Sequence, residues 1–543
     1  MQMATIVNTK LGEHRGKPRV WLEGYKLLRE GYSPGTKFDL ELKDSQIVLR
    51  VKEEGKFTVS KRERNGRVTP IIDLNAQELA TVFDGVEMLR VFIRQGAILI
   101  SAHHQHERVV ERVNRLTSKL EKGEPLSVCS LFHGGGVLDK AIHAGFKRSG
   151  IASSIAVAVE MEGSYLDSSL ANNPELWDQN SIAIESPIQA VNLSRQPTQV
   201  DLIIGGIPCT GASKSGRSKN KLEFAESHED AGALFFNFLE FVKALNPAVV
   251  LIENVPEYQK TASMTVIRSV LSSLGYSLQE RILDGNEFGV IEARKRLCVV
   301  AVSHGIDGFD LEQVQPVRTK ESCINDILEP IPLDSQRWKS FDYLAEKELR
   351  DKAAGKGFAR QLLAGAETFC GTVGKGYSKC RSTEPFIVHP EQSELSRLFT
   401  PVEHCRIKGI PEELIDGLSD TTAHEILGQS VVYPAFEALA SSLGNSLWNW
   451  VGMTPLMVEL VDDSQPTIGG EDFHWATALV DTKGTLTLSP TAKQLGMPIH
   501  VREGQLAVYS RTGSKISNGH APCEYLPVMM SGDAIMVQSS FVH

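Results

Sequence analysis

The 543-residue chain contains no Cys-x-x-Cys pair; its eight cysteines, at 129, 209, 298, 323, 370, 380, 405 and 523, stand singly along the sequence. That spacing argues against a zinc module and a disulfide framework, so each thiol is read first as a small buried residue. No apolar run approaches a membrane span, and the opening MQMATIVNTKLGEHRGK holds no apolar segment of signal-peptide length, so a cytoplasmic protein is expected. A basic excess is missing too: 57 Lys and Arg face 67 Asp and Glu, for a net charge of −10, and any polyanion contact must come from local basic patches. There is no low-complexity block and no solenoid repeat. His103, His104 and His106 cluster without Cys or acid at ligand spacing, so no metal site is expected.

What is present is the composition of a globular protein, 41% apolar and 23% charged, in a chain long enough for several domains. Residues 1–101 read as a β-rich N-terminal domain. FDLELKDSQIVLRV and LRVFIRQGAILI each alternate apolar and polar positions around a short turn. Residues 102–123 read as an amphipathic linker helix, with Val109, Val113, Leu116 and Leu120 at helical spacing. From 124 to 304 the runs LSVCSLF, SIAVAVE, NSIAIES, VDLIIGG, AVVLIENV and RLCVVAV are separated by crossover-length segments. Their continuous apolar character predicts a sheet covered on both faces, a doubly wound, Rossmann-like α/β domain. Residues 305–395 look irregular, 396–446 helical, and 447–543 form a second β-rich domain of unassigned role.

Ligands of open α/β sheets sit beyond the carboxyl ends of the strands. There the sequence places Gly134, Gly135 and Gly136 after LSVCSLF, Glu160 after SIAVAV, Pro208-Cys209 after DLIIGG, and Glu253-Asn254 after AVVLI. The glycines permit close backbone approach, and the acid at the next strand end can accept from ribose hydroxyls. GGG followed by Val137 lacks the later glycine of a pyrophosphate site, which points to a nucleoside without one. Cys209 precedes a loop with Lys214, Arg217, Lys219 and Lys221 and no acid before Glu223. Those charges favour the thiolate, the nucleophilic form. Glu253 is either a half-buried proton donor or the partner of Arg294 or Arg296 in a salt bridge.

Seven segments, FHGGG (132–136), VAVEME (157–162), GGIPCTGAS (205–213), ENVPE (253–257), FGVIEARKR (288–296), RLFTPVEHCRIKGIPEE (397–413) and GQSVVYPAF (428–436), resemble in order the motifs of the DNA cytosine-5 methyltransferases. The resemblance implies S-adenosyl-L-methionine held by Phe132, Gly134, Gly136, Glu160, Met161, Glu185, Leu234, Ser430 and Val431. It implies Cys209 as nucleophile toward C6 of a flipped-out cytosine, Glu253 on N3 and Arg294 on the base carbonyl. Ser213, Lys214, Arg217, Arg296, Lys375, Lys379 and Arg381 become the expected DNA contacts. Residues 305–395 become the target-recognition region, GTVGKGYSKCR (371–381) its first contact segment. Double-stranded DNA is the implied partner, in a prokaryotic or phage-infected cell, with restriction–modification among the roles.

This sequence departs from the family pattern at Thr210, Glu292 and Gln429, where the motifs usually carry glutamine, glutamine and asparagine, and Val137 replaces a frequent glycine. Thr210 and Glu292 bear on the DNA contacts, not on the nucleophile. The N-terminal VWLEGYKLLREGYSPGTKFDLELKDSQIVLRV resembles hairpin modules of the AbrB and SymE type, implying DNA binding or self-association. Two other readings stay open: RNA as substrate, and a DNA-binding regulator with vestigial catalysis.

Overall fold

The computed structural model describes residues 4–43, 45–75, 77–195, 198–208, 232–355, 358–461, 473–502, 504–509, 523–531 and 534–537. The chain divides into two compact units, Met1–Glu111 and Arg112–His543.

In the first unit both expected hairpins form. Lys37–Lys43 pairs with Gln46–Val51, and Met88–Arg94 with Ala97–Ala102, inside a six-stranded sheet. A second sheet of four strands runs in the order Gly12–His14, Lys17–Glu23, Arg67–Leu74, Ser60–Arg64. Alternation puts Val20, Leu22, Ile72 and Leu74 into the core with Ile47, Leu49, Ile98 and Ile100.

The second unit is organised on a seven-stranded sheet. Its strands in chain order are β1 (Leu126–Leu131), β2 (Ser153–Glu160), β3 (Trp177–Glu185), β4 (Leu202–Gly206), β5 (Val249–Asn254), β6 (Tyr276–Asp284) and β7 (Lys295–Ser303). They lie in the order β3-β2-β1-β4-β5-β7-β6. The first five are parallel, while β7 runs antiparallel to both β5 and β6. The sheet is therefore mixed, with an antiparallel hairpin at one edge. Its helices are α1 (His104–Lys122), α2 (Val137–Arg148), α3 (Gly163–Asn172), α4 (Leu234–Leu245), α5 (Ala262–Ser273), α6 (Pro401–Lys408), α7 (Asp420–Gln429) and α8 (Tyr433–Trp450). Both faces are covered, which explains the unbroken apolar strands: Val249 and Leu251 pack with α2 and α8 residues, Val250 and Ile252 with α4 and α5 residues.

The expected linker helix is more than a connector. Arg112 on α1 is 1% exposed and donates to Ser303 Oγ and to the Leu274 and Gly275 carbonyls. Arg115 and Lys119 both reach the fully buried Asp201 at the head of β4, at 3.1 and 2.6 Å, so that carboxylate is compensated. Residues 305–395 are not irregular throughout. They contribute a helix, Asp342–Ala353, and three short strands that join Leu395–Arg397 in a four-stranded sheet around Val373, Tyr377, Ile387 and Phe399. The last helix runs on to Trp450, past the boundary expected at 446. The C-terminal strands then form a seven-stranded sheet whose first strand also pairs with Gln505–Tyr509, closing it on itself.

Candidate active site

The turn after β1 is built from residues whose backbones leave ordinary L-residue space. Phe132, Gly134 and Gly136 have φ of +58°, +58° and +78°. Phe132 is the strained one, since a bulky residue rarely adopts that conformation. The clamp on this turn is His133, which sequence reasoning passed over. Its Nδ1 lies 2.9 Å from Ser130 Oγ and 3.0 Å from Asp139 Oδ2, and its Nε2 lies 2.7 Å from Ser169 Oγ. Gly136 has no alternative: a Cβ there would sit 2.4 Å from Ser169 Oγ. Above Gly134, by contrast, the space is open, with nothing nearer than the Gln429 side-chain amide at 3.8 Å.

Glu160 closes this side. Its Oε2 accepts the Gly134 N–H at 2.7 Å, and its Oε1 accepts the N–H groups of Met161 and Glu162, both at 2.9 Å. A carboxylate has about four acceptor directions, so Glu160 is fixed in place and keeps capacity for a ligand hydroxyl. Met161 is 68% exposed beside it. The Glu185 carboxylate lies against Gly163 at the start of α3, 2.7 Å from where a Cβ would be. Phe132 and Leu234 pack on one apolar cluster and so share this edge. Ser430 caps α7 and donates to the Leu427 carbonyl at 2.6 Å. Val431, next along the chain, is 4% exposed within the core.

On the other side of the sheet centre, Gly206 stands in register with Glu253. A Cβ on Gly206 would come 3.1 Å from Glu253 Oε2. Glu253 is half-buried and ion-paired: Arg296 Nε lies 2.8 Å from its Oε1. This is the salt-bridge alternative of the sequence reading, with Arg296 as the partner, so Arg296, expected to touch DNA, here lies against the acid. Arg294 lies elsewhere. It is 2% exposed, donates to the Gly428 carbonyl at 3.3 Å and faces Glu292 at 3.7 Å. Asn254, also passed over, donates to the Ile207 carbonyl at 3.0 Å and accepts the Val255 N–H at 2.9 Å. It thereby ties the end of β5 to the segment that enters Pro208-Cys209. Cys209, Ser213, Lys214 and Arg217 lie outside the described residues. Cys298 stands opposite Glu253, but burial pushes its thiol far up and keeps it protonated.

Segment 371–381, expected to contact DNA, is anchored by several hydrogen bonds. Val373 donates to Glu292 Oε1 at 2.8 Å, Gly374 to Glu384 Oε1 at 3.0 Å and Gly371 to Gln361 Oε1 at 2.9 Å. Tyr377 is buried and donates to the Pro385 carbonyl at 2.7 Å. On this frame Lys375, Lys379 and Arg381 are exposed, Lys375 lying 4.9 Å above the Tyr165 ring and Arg381 stacked against the Gly376 backbone. Gly428 packs on the Gly374 carbonyl group, where a Cβ would come to 2.3 Å. The segment is therefore seated against the helix that closes the glycine turn.

These observations define a class: a doubly wound α/β protein with a glycine turn fixed by a carboxylate at one strand end and a carboxylate–guanidinium pair at another. The family model for C-5 cytosine-specific DNA methylases matches residues 126–445, more than half of the chain, and the chain belongs to that family. It is similar to the type II methyltransferase M.SsoII of Shigella sonnei, 28% identical over 264 residues that make up 46% of this chain and 64% of that protein. It is similar to the type II methyltransferase M.NlaX of Neisseria lactamica, 28% identical over 256 residues, 46% of this chain and 77% of that protein. The chain thus spans just under two thirds of the length of M.SsoII. Among solved structures, the S. pombe Dnmt2 methyltransferase aligns with a TM-score of 0.47 at 21% identity, covering 58% of this chain and 97% of that one.

Proposed function

We propose that the protein methylates C5 of cytosine in double-stranded DNA, with Cys209 as nucleophile and S-adenosylmethionine as methyl donor. The observation that carries the reading is the convergence at adjacent strand ends of three features. These are the Glu253–Arg296 pair, the Asn254 bond to Ile207 just ahead of Cys209, and the open glycine turn bounded by Glu160. The turn fits an adenosyl ligand: the space above Gly134 is free, a fixed carboxylate stands at the ribose position, and Phe132, Met161, Glu185, Leu234 and Ser430 surround it, with Val431 next along the chain. When bound, S-adenosylmethionine supplies an electrophilic methyl group.

The protein's side chains do the rest. The Cys209 thiolate adds to C6, which places electron density on C5. Glu253, already oriented by Arg296, holds N3 and balances the charge that develops on the ring, while the Arg296 guanidinium reaches the base carbonyl. Arg294, expected in that role, instead braces the end of α7 through Gly428. Asn254 is a positioning residue for the Cys209 segment. After C5 is methylated, loss of its proton and departure of the thiolate restore the aromatic ring and the free cysteine.

A stacked base is out of reach of such a thiol, so the cytosine is flipped out of the duplex. Ser213, Lys214 and Arg217 follow the nucleophile directly and contact the strand that carries it, while Lys375, Lys379 and Arg381 contact phosphates or base edges from their hydrogen-bonded frame. The family match supports DNA over RNA as substrate and over a purely regulatory role, and the similarity to type II methyltransferases supports a role in restriction–modification.

Adduct trapping tests the proposal. With S-adenosylmethionine and duplex DNA containing 5-fluorocytosine, a covalent protein–DNA complex that survives denaturation is expected, and Cys209→Ala abolishes it. Cofactor-independent binding with no adduct on DNA of varied sequence would overturn the reading.

A further inference from the structure

The four-stranded sheet of the N-terminal unit buries one face in its own core, and its other face is exposed toward both hairpin tips and covered only at its centre, where Ile71 is 5% exposed. Cross-strand register identifies the outer face. Arg64 stands opposite Arg67, Arg62 opposite Thr69, Glu23 opposite Ile71, Trp21 opposite Asp73, and His14 opposite Lys17. Residues directly opposite in an antiparallel pair share a face, so Lys17, Arg19, Arg62, Arg64 and Arg67 stand on one surface with only Glu23 and Asp73 as acids. Those two acids are taken: Arg19 Nε lies 2.7 Å from Asp73 Oδ1, and Arg62 Nη2 lies 2.8 Å from Glu23 Oε2. Lys17, Arg64 and Arg67 are exposed and have no acid within ion-pair distance among the described residues.

Two further features give this surface a partner. Arg64 and Arg67 flank the tight Asn65-Gly66 turn, with φ of +53° and +71°, as direct cross-strand neighbours. Like charges in that position destabilise a hairpin, so folding alone gives no reason to keep both. A phosphate backbone passing over the turn would neutralise both together. The unpaired cations also stand at opposite ends of the surface, because the two tips point in opposite directions. From Lys17 to Arg67 is ten residue steps, six along one strand and four along its neighbour, or about 33 Å at roughly 3.3 Å per residue. One turn of duplex DNA is about 34 Å. Between the two ends lies the exposed indole of Trp21, with Arg19 4.5 Å over its ring.

We infer that the outer face of this sheet is a second DNA-binding surface, which grips phosphates about one helical turn apart and is independent of sequence. It adds to the target-segment contacts described above, and it rests on DNA being the substrate.

The test uses the full-length protein and a 30-base-pair duplex without S-adenosylmethionine, measuring Kd as a function of salt. Lys17→Ala/Arg64→Ala/Arg67→Ala should weaken binding at least about tenfold near 0.1 M salt and lower the magnitude of the log–log salt slope by between two and three, about 0.9 for each phosphate no longer neutralised. Lys17→Arg/Arg64→Lys/Arg67→Lys should restore both. The methyl-transfer kcat at saturating DNA should be unchanged by either triple, which separates this surface from the catalytic reading. If the cofactor assay shows no methyl transfer yet the salt slope still falls in the alanine triple, the surface stands and the catalytic reading fails. An unchanged Kd and slope, or a change only in self-association, would overturn the inference.

Discussion

At the scale of single residues, register decides which of Arg294 and Arg296 lies beside Glu253. Glu253 stands opposite Cys298 in an antiparallel pair, so its diagonal neighbour on the same face is Arg296, two residues before Cys298. Arg294 lies two residues further out and turns into the protein beneath Gly428. The sequence offers both arginines equally, and only the antiparallel direction of β7 separates them. The expected consequence is a split. Arg296→Ala should lower the unfolding free energy by about 1–2 kcal/mol, because it leaves the largely buried Glu253 carboxylate without its cation, while kcat falls about 10²- to 10³-fold, the scale of a lost electrostatic partner of the reacting ring. Arg294→Ala should instead lower stability by about 2–3 kcal/mol, because the Gly428 carbonyl loses its donor, Glu292 loses one of its two nearby cations and a cavity is left in the core. Denaturant titration beside steady-state kinetics checks both. An Arg294→Ala variant that is fully stable but dead would return the catalytic role to Arg294.

At the scale of elements, the contact segment, helix α6 and the lead into β7 meet at one buried ion pair. Lys408, the last residue of α6, has its Nζ 2.8 Å from Glu292 Oε2, both side chains have no exposure, and Val373 donates to the other Glu292 oxygen at 2.8 Å. Burial, with Arg294 nearby, lowers the Lys408 pKa to about 7 despite Glu292. Glu292→Gln, which restores the residue usual in the resembled motif, should therefore destabilise the protein, by about 3 kcal/mol at pH 6 where the stranded lysine must stay charged or shed its proton. The loss should shrink by pH 9, where the folded protein already holds Lys408 neutral. Glu292→Gln/Lys408→Met should recover most of it, and the single variant should raise KM for DNA more than it lowers kcat. Equal losses at pH 6 and pH 9 would count against this account. None of this coupling was legible in the sequence, where residues 292, 373 and 408 lie far apart. The legible elements were those with a strong apolar signal: the five parallel strands and β7 as continuous apolar runs, the two N-terminal hairpins by alternation and α1 by helical spacing. Strand β6, YSLQERILD, went unread because as an edge strand it is only partly buried and shows no alternation. The sheet of residues 339–397 went unread because its strands are two to four residues long, too short to carry a period.

At the scale of the whole molecule, the buried ionisable groups act together on stability. Burial depresses His404 far below its ordinary 6.5 and brings His424 to about 4; the two rings meet Nδ1 to Nδ1 at 2.9 Å. Both are bases whose folded pKa lies below the unfolded one, so below pH 6.5 the unfolded chain binds protons that the folded chain refuses. Stability is then present above pH 6.5 and falls as the pH drops toward 4, by up to about 1.4 kcal/mol per pH unit for each ring. Glu292, also lowered, adds a loss of the same sign once the pH passes below its ordinary 4.5, while Glu384, raised by burial, opposes it. At the other end, burial raises Cys129, Cys298, Cys370 and Cys405 above their ordinary 9. Their stabilisation is complete below pH 9 and is lost above it, as the unfolded thiols ionise first. Lys408, lowered to about 7, makes stability climb between pH 7 and its ordinary 10.5, so the maximum should lie between about pH 7 and pH 9. Denaturant midpoints for the full chain at pH 5, 6, 7, 8 and 9 should rise most steeply below pH 6.5, where both rings act, keep rising at about one proton's slope from pH 7 to 8 through Lys408, and level off toward pH 9 as the unfolded thiols ionise. With His424→Gln the slope between pH 5 and 6.5 should drop by about the share of one proton. A midpoint that is flat from pH 5 to 7, or a slope indifferent to His424, would show that these rings take up protons in the folded protein.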